Sequence, residues 1–155
     1  MGKLIAMVGL PRSGKSTIVR ELSDQYSAPI VKKDDIRLAL HGQVYVALAE
    51  PMIRAISKVM IHSLFLSGHE WVIADETHYS RAARDFVSDG PWDTVFYEVD
   101  TPAEICIERA YATGHTWLPP VIEDMAARYE PLGEDEKRYT EDTEIIFLAP
   151  QAHDC

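Results

Sequence analysis

Apolar residues fall along this chain in short unbroken runs that alternate with stretches of helical spacing. Lys3 to Val8 carries one such run, of buried-strand length; Gly9 to Gly14 interrupts it, and Ile18, Val19 and Leu22 then mark one face of a helix over Ser16 to Tyr26. Pro29-Ile30-Val31 predicts a second short strand. It leads through Lys32-Lys33-Asp34-Asp35 into a helix expected to begin near Ile36, with both aspartates at the N-terminal end that favours negative charge. From Val46 to Leu66 the positions Ile53, Ile56, Met60, Leu64 and Phe65 make a wide apolar stripe, predicting one long helix closed by Gly68. Trp71 to Ala74 and Thr94 to Val99 read as further strands, and each runs straight into a carboxylate, Asp75 and Asp100. Pro102 opens a helix through Ala112, Thr113 to Pro120 is expected to be loop, and Val121 to Tyr129 a short helix. A polar loop over Glu130 to Asp142 precedes a last strand, Ile145 to Leu148.

Strands that alternate with helices and are apolar almost throughout belong in a parallel sheet covered on both faces. The expectation is an α/β chain of three layers, a mostly parallel sheet of about five strands, with a small helical lid near residues 110–130. At 155 residues it should form a single domain spanning 1–155. Hydrophobic residues at 46% and charged residues at 26% exclude a disordered or collagen-like chain.

Cys106 and Cys155 make no disulfide framework, and without a Cys-x-x-Cys pair no structural zinc is expected. His41, His62, His69 and His153 lack metal-ligand spacing, and Cys106 falls on an apolar helix face, where a buried residue is expected. Leu4 to Leu10 is too short to span a bilayer and has no signal-peptide context, so the expectation is a soluble, untargeted protein of a reducing cytoplasm. The net charge of -10 is uneven: residues 1–77 hold nine Lys and Arg against eight Asp and Glu, residues 78–155 six against seventeen. That acidity argues against an extended duplex-binding surface, while leaving room for a local phosphate site.

Such a site is written at the first break. Gly9-Leu10-Pro11-Arg12-Ser13-Gly14-Lys15-Ser16 fits G-x-x-x-x-G-K-[ST], the P-loop, and lies between a predicted strand and a predicted helix as that motif requires. Its glycines let successive N–H groups turn toward phosphate oxygens, Lys15 reaches the β- and γ-phosphates, and the Ser16 hydroxyl can ligate Mg²⁺. ATP and Mg²⁺ are therefore the expected cofactors. A carboxylate at another strand end is needed beside the metal; Asp75 supplies it, with Glu76 the close competitor and a turn or helix-cap role for Asp75 the plainer alternative. Asp34 and Asp35 follow the second strand with Arg37 one turn on. Asp34 is the candidate base that orients a hydroxyl and accepts its proton, Arg37 a candidate clamp for an acceptor phosphate, and Asp35 is read as a helix cap.

These residues carry a resemblance. Gly9-x-Pro11-x-Ser13-Gly14-Lys15-Ser16-Thr17, then Lys33-Asp34-Asp35-Ile36-Arg37, then Val72-Ile73-Ala74-Asp75-Glu76-Thr77-His78, look like the P-loop kinases related to phage polynucleotide 5'-kinase and the zeta-toxin group. Looser similarity runs through Val99 to Glu104, Glu108-Arg109 and Val121 to Pro131, so it spans nearly the whole chain. It implies that Lys15, Asp34, Arg37 and Asp75 are catalytic. It also implies that Gly9, Pro11, Arg12, Ser13, Gly14, Lys15, Ser16, Thr17 and Arg109 hold the nucleotide, with Ser16 and Asp75 at the metal. Two positions depart from the pattern. The lid arginine expected four residues past Arg109 is Thr113, leaving Arg12, His115 or Arg128 as replacement cations, and His78 stands where asparagine is usual, a potential hydrogen-bonding group for the acceptor or a plain loop histidine. A chain of this length also leaves no room for the phosphatase domain of some polynucleotide kinases, so any end-healing role is expected to be partial.

Trp117 is read as an anchoring hydrophobe in the lid, ahead of a surface on which a base or sugar could stack, and Glu134-Asp135-Glu136 as a solvated run. The expected activity is transfer of the γ-phosphate of ATP to a hydroxyl, first a polynucleotide 5'-hydroxyl or nucleotide-like acceptor, then a hydroxymethylated base or small metabolite. A nucleotide-dependent switch is the competing class, although an Asn-Lys-x-Asp guanine-reading segment is absent. A regulatory relative that binds ATP without transfer is a third. No membrane partner is expected, and the oligomeric state is left open.

Overall fold

The computed structural model describes residues 2–42 and 45–140. Four parallel strands, β1 (Gly2–Val8), β2 (Ile30–Lys32), β3 (Trp71–Asp75) and β4 (Trp92–Glu98), lie in the order β2-β3-β1-β4. The expected fifth strand, Ile145 to Leu148, falls outside the described residues. Register follows the apolar runs: Leu4, Ile5 and Ala6 of β1 face Val72, Ile73 and Ala74 of β3, and Ile5 and Ala6 face Val95 and Phe96 of β4.

Because side chains alternate along a strand, one register builds two cores. Ile5, Met7, Ile73 and Val95 pack against Val19, Leu22 and Tyr26 of helix α1 (Lys15–Tyr26). Leu4, Ala6, Val8, Val72 and Ala74 pack on the opposite face against Ile53 and Ile61 of α3 (Glu50–Leu66) and Val87 of α4 (Arg81–Ser88). The central strand side chains are fully buried, worth roughly 1.5–3 kcal/mol for each large aliphatic group. This is the three-layer arrangement that the hydrophobic pattern predicts. A third cluster joins Leu10 to Cys106 and Ala110 of α5 (Ala103–Ala112) and to Leu118 and Ile122 of α6 (Leu118–Ala127), fastening the loop after β1 to these two helices.

Several boundaries differ from expectation. The long helix over 46–66 is two pieces, a 3-10 turn at Ala47–Ala49 and then α3, because Pro51 lacks the N–H that continuation would require and suits a first helical turn instead. Helix α2 (Lys33–His41) begins three residues before Ile36, so Asp34 and Asp35 sit in its first turn and neither caps it; the cap position is Lys32, without a side-chain bond. Asp75 caps nothing either, since Ser80 accepts from the Ala83 amide at the start of α4. Leu118 starts α6 earlier than the predicted Val121 because Pro119 and Pro120 fit its opening turn. The polar stretch after residue 130 is pinned to the outer edge of β4 by Phe96 N–H to Lys137 O and Tyr139 N–H to Phe96 O, both 2.8 Å.

Glu134 and Asp135 are exposed, as expected of a solvated run, but Glu136 is not. Asp135 takes a two-point bond from Arg81, and Glu136 is buried against Arg84, which is fully buried. Arg84 donates from Nε and Nη2 to Glu136 at 2.8 and 3.2 Å, and also to the carbonyls of His78 and Pro131 at 3.0 and 3.2 Å. One guanidinium thereby ties α4 to the loop before it and to the segment 131–136. Truncating it strands a buried carboxylate, so Arg84→Ala is expected to lower the free energy of unfolding by about 3–5 kcal/mol in urea titration. A loss below about 1 kcal/mol would show the pair to be ornamental to the fold.

Candidate active site

The order β2-β3-β1 brings three strand ends together: the loop after β1, Asp75 at the end of β3, and Asp34 just beyond β2. In parallel α/β sheets ligands bind outside this carboxyl edge. The glycine loop runs from Gly9 to Gly14, where α1 begins. A Cβ on Gly9 would lie 2.9 Å from Ser13 Oγ and 3.0 Å from the Val99 carbonyl, so the loop packs too closely there for a side chain. Gly14 holds φ 100° at the N-cap of α1, a left-handed turn that leaves the first helical N–H groups facing outward without intrahelical partners. Arg12 also adopts a left-handed backbone, φ 66°.

Two observations in the loop fit a polyphosphate. The Ser13 hydroxyl is buried without a hydrogen-bond partner, an arrangement that native proteins rarely tolerate without a ligand or water. The Lys15 ammonium bends back onto the carbonyls of Gly9 and Leu10 at 2.6 and 2.9 Å. Burial pulls its pKa down to about 8 against the attraction of Asp75 and Asp34. An anion in the loop would restore the charge that burial penalises. Ser16 and Thr17 are exposed in the first turn of α1, and Pro11 is half-buried in the loop.

Asp75 is buried at the tip of β3, and burial raises its pKa against the pull of Lys32 and Lys15. Lys32 faces it across the β2–β3 register. Glu76, the competitor, has other partners: Lys33 donates to it at 2.8 Å and His78 Nε2 lies 3.1 Å away. Burial alone would raise the Glu76 carboxyl, but the His78 ring and the Lys33 ammonium outweigh it and hold it well below the usual carboxylate range. His78 is 2% exposed with Nδ1 2.6 Å from the Met7 carbonyl. It is therefore a loop histidine just past the end of β3, as the plainer reading had it, but a buried strut at φ 43° and not an open acceptor contact. Beside Lys33, Asp75, Glu76 and His78 lies a cavity of about 20 Å³, room for about one water and far too small for an acceptor molecule.

On the β2 side Asp34 is half exposed, and its Oδ1 accepts from Arg37 Nη1 at 2.6 Å. Arg37 also donates to both oxygens of Glu50, Nε to Oε2 at 2.9 Å and Nη2 to Oε1 at 2.6 Å. Burial opposes its charge, but these two carboxylates more than compensate and raise its pKa. On the α5 side, Arg109 donates to the Arg12 carbonyl at 3.1 Å and lies over Gly14. Arg12 donates to Thr113 Oγ1 at 2.8 Å, and His115 Nδ1 lies 2.9 Å from the same hydroxyl. Arg12 and His115 thus meet at the position that lacks a lid arginine, whereas Arg128 is bonded to Asp124 and lies over Tyr79. Trp117 is 53% exposed, not an anchor.

Lys15, Asp34 and Asp75 are therefore brought within electrostatic reach of one another, with Arg37 joined to Asp34 and Arg109 to the loop. Sequence reasoning missed Lys33 and Glu50. The one signal for Lys33 was its place immediately after a buried strand, at a sheet edge where charges converge; Glu50 carried none, being an ordinary acid ahead of Pro51. For a metal, the Ser16 hydroxyl and the Asp75 carboxylate are oxygen donors of the kind Mg²⁺ prefers. No group of three or more His, Cys, Asp or Glu suited to a metal occurs among the described residues. That donor set fits a cation shared with phosphate oxygens and water rather than one enclosed by protein.

The parallel sheet and the glycine loop between β1 and α1 define an α/β chain of the P-loop kinase fold. Residues 4–132 match the AAA domain family, and the chain belongs to that family. A chain of the Pnkp1/Rnl/Hen1 complex is similar at 31% identity and TM-score 0.61 over 70% of this chain, which spans only 38% of the length of that one. An unliganded sugar kinase from Janibacter sp. HTCC2649 superposes with TM-score 0.69 at 20% identity, over 97% of this chain and 94% of the other. The Mycobacterium tuberculosis APS kinase CysC superposes with TM-score 0.63 at 19% identity, over 96% and 97%. Comparison with curated proteins gives no match. Among the described residues no helix is long and apolar enough to cross a membrane.

Proposed function

We propose that the protein transfers the γ-phosphate of ATP to a hydroxyl group. The observation that carries this reading is the convergence of Lys15, Asp75 and Asp34 at one sheet edge, with the Ser13 hydroxyl unpartnered in the loop beside them. The acceptor oxygen attacks the γ-phosphorus as the bond to the β,γ-bridging oxygen breaks. The hydroxyl proton passes to the Asp34 carboxylate, and ADP leaves with the bonding pair. Asp34 keeps one oxygen on Arg37, which fixes the carboxylate and leaves its other oxygen to face the hydroxyl. Lys15 swings from the loop carbonyls to the phosphate oxygens, where charge spreads in the transition state. Mg²⁺, held through Ser16 and Asp75, would neutralise charge on the β- and γ-phosphates. Arg109 and Arg12 flank the loop as cations for the nucleotide.

The acceptor we propose is a polynucleotide 5'-hydroxyl or a nucleotide-like molecule, whose phosphate is gripped by Arg37. The 31% identity to a chain of an assembly containing Pnkp1 supports it. A second reading, a small neutral acceptor, draws on the sugar kinase that matches this chain nearly end to end. Residues 78–155 hold six Lys and Arg against seventeen Asp and Glu, too few cations for a long basic channel, so the site suits one or two nucleotides and not a long strand. The test is transfer from labelled ATP to a panel of 5'-hydroxyl DNA and RNA, hydroxymethyl-base DNA, nucleosides, mononucleotides and sugars. Acceptor-dependent label in the first and fourth groups is expected. Rapid hydrolysis with water alone would favour a switch, and ATP binding without transfer a regulatory protein.

A further inference from the structure

Arg37 has five N–H groups, and the structure accounts for three of them. Nε and Nη2 form a two-point fork onto Glu50, and Nη1 reaches Asp34. One N–H on each terminal nitrogen remains, and the side chain stays 14% exposed. Glu50 is well placed for this bond. It is the first residue of α3, held by the 3-10 turn before it and Pro51 after it, and a carboxylate is favoured at a helix start. Its own side chain is 15% exposed, so the pair is largely shielded from solvent. Arg37 on α2 is thereby bound to α3, thirteen residues away in sequence.

We propose that Glu50 is a positioning residue for the acceptor: by holding the Nε edge of Arg37 it aims the two remaining N–H groups at the phosphate beside the reacting hydroxyl. The inference rests on the phosphate-bearing acceptor proposed above. An unrestrained arginine must lose rotamer freedom when it meets phosphate, whereas one already forked onto a carboxylate has lost it beforehand.

The test is steady-state kinetics at saturating MgATP for the wild type, Glu50→Gln, Glu50→Ala, Arg37→Ala and the Glu50→Ala/Arg37→Ala double variant. Each is assayed on a nucleoside 3'-phosphate and on the same nucleoside without phosphate, with thermal melting to confirm folding. Glu50→Ala is expected to raise KM for the phosphorylated acceptor about tenfold, with kcat and the KM for ATP within about twofold. Glu50→Gln, which accepts at one oxygen only, falls between. No KM change is expected with the phosphate-free acceptor, nor any further loss on the Arg37→Ala background. Equal losses on both acceptors, or additive losses in the double variant, would overturn the role, as would improved use of the phosphorylated acceptor, which would make Glu50 a competitor for Arg37. Failure of the phosphotransfer reading shows differently, as no transfer by the wild type. The same variants are then compared by calorimetric binding of the nucleoside 3'-phosphate, and wild-type affinity no tighter than that of Glu50→Ala overturns the positioning role.

Discussion

Lys15→Ala is expected to lower kcat by at least about 10³-fold while leaving the protein folded. The ammonium is largely shielded and, among the described residues, hydrogen-bonds two carbonyls of its own loop, so its removal relieves a desolvation cost while taking away the charge that moves to the phosphates. A pH signature accompanies this. In the nucleotide-free protein Lys15 has its pKa lowered from 10.5 to about 8, so the unfolded chain holds that proton more tightly than the folded one. Wild-type stability therefore gains from this group as pH rises from about 8 toward 10.5, and Lys15→Ala loses the gain. Polyphosphate reverses the shift, so nucleotide binding above pH 8 is expected to take up a proton. Calorimetry in two buffers of different ionisation enthalpy reads that uptake. No uptake, or turnover within tenfold of wild type, would remove Lys15 from its assigned place.

Asp34→Asn is expected to cut kcat by about 10²- to 10⁴-fold and to leave the affinity for ATP within about twofold. Asparagine keeps an oxygen for Arg37 Nη1 and preserves the shape of the first turn of α2, so the change isolates proton acceptance from geometry. Nucleotide affinity measured separately by fluorescence or calorimetry divides the two effects. Full activity in this variant would mean that another group, Asp35 or Asp75, receives the proton.

The nucleotide side of the site was legible because its chemistry is local. A strand, a glycine turn and a helix N-terminus lie within the first 26 residues, and the spacing of Gly9, Gly14, Lys15 and Ser16 is fixed by what the backbone must do around phosphate. Asp34 and Asp75 were legible at one remove, since each follows an apolar run that a parallel sheet must bury, and parallel strands end on the same edge. What escaped were pairs with no pattern between them. Arg37 with Glu50, Lys33 with Glu76 and Arg84 with Glu136 join residues 13, 43 and 52 positions apart, and an acid in a charged run looks the same whether it is solvated or buried against a distant arginine. The start of α2 was misjudged for a related reason: Lys33 reads as polar loop, yet Glu76 lets it be buried as the first helical residue.

Where a triphosphate lies decides whether these residues act as assigned. A crystal structure with a non-hydrolysable ATP analogue and Mg²⁺ is predicted to show the β- and γ-phosphates against the N–H groups of residues 13–16. Lys15 Nζ would have left the Gly9 and Leu10 carbonyls for phosphate oxygens, and Asp34 would face the γ-phosphate across the cleft. A nucleotide bound elsewhere, or Lys15 still on both carbonyls with Asp34 turned to solvent, would contradict it.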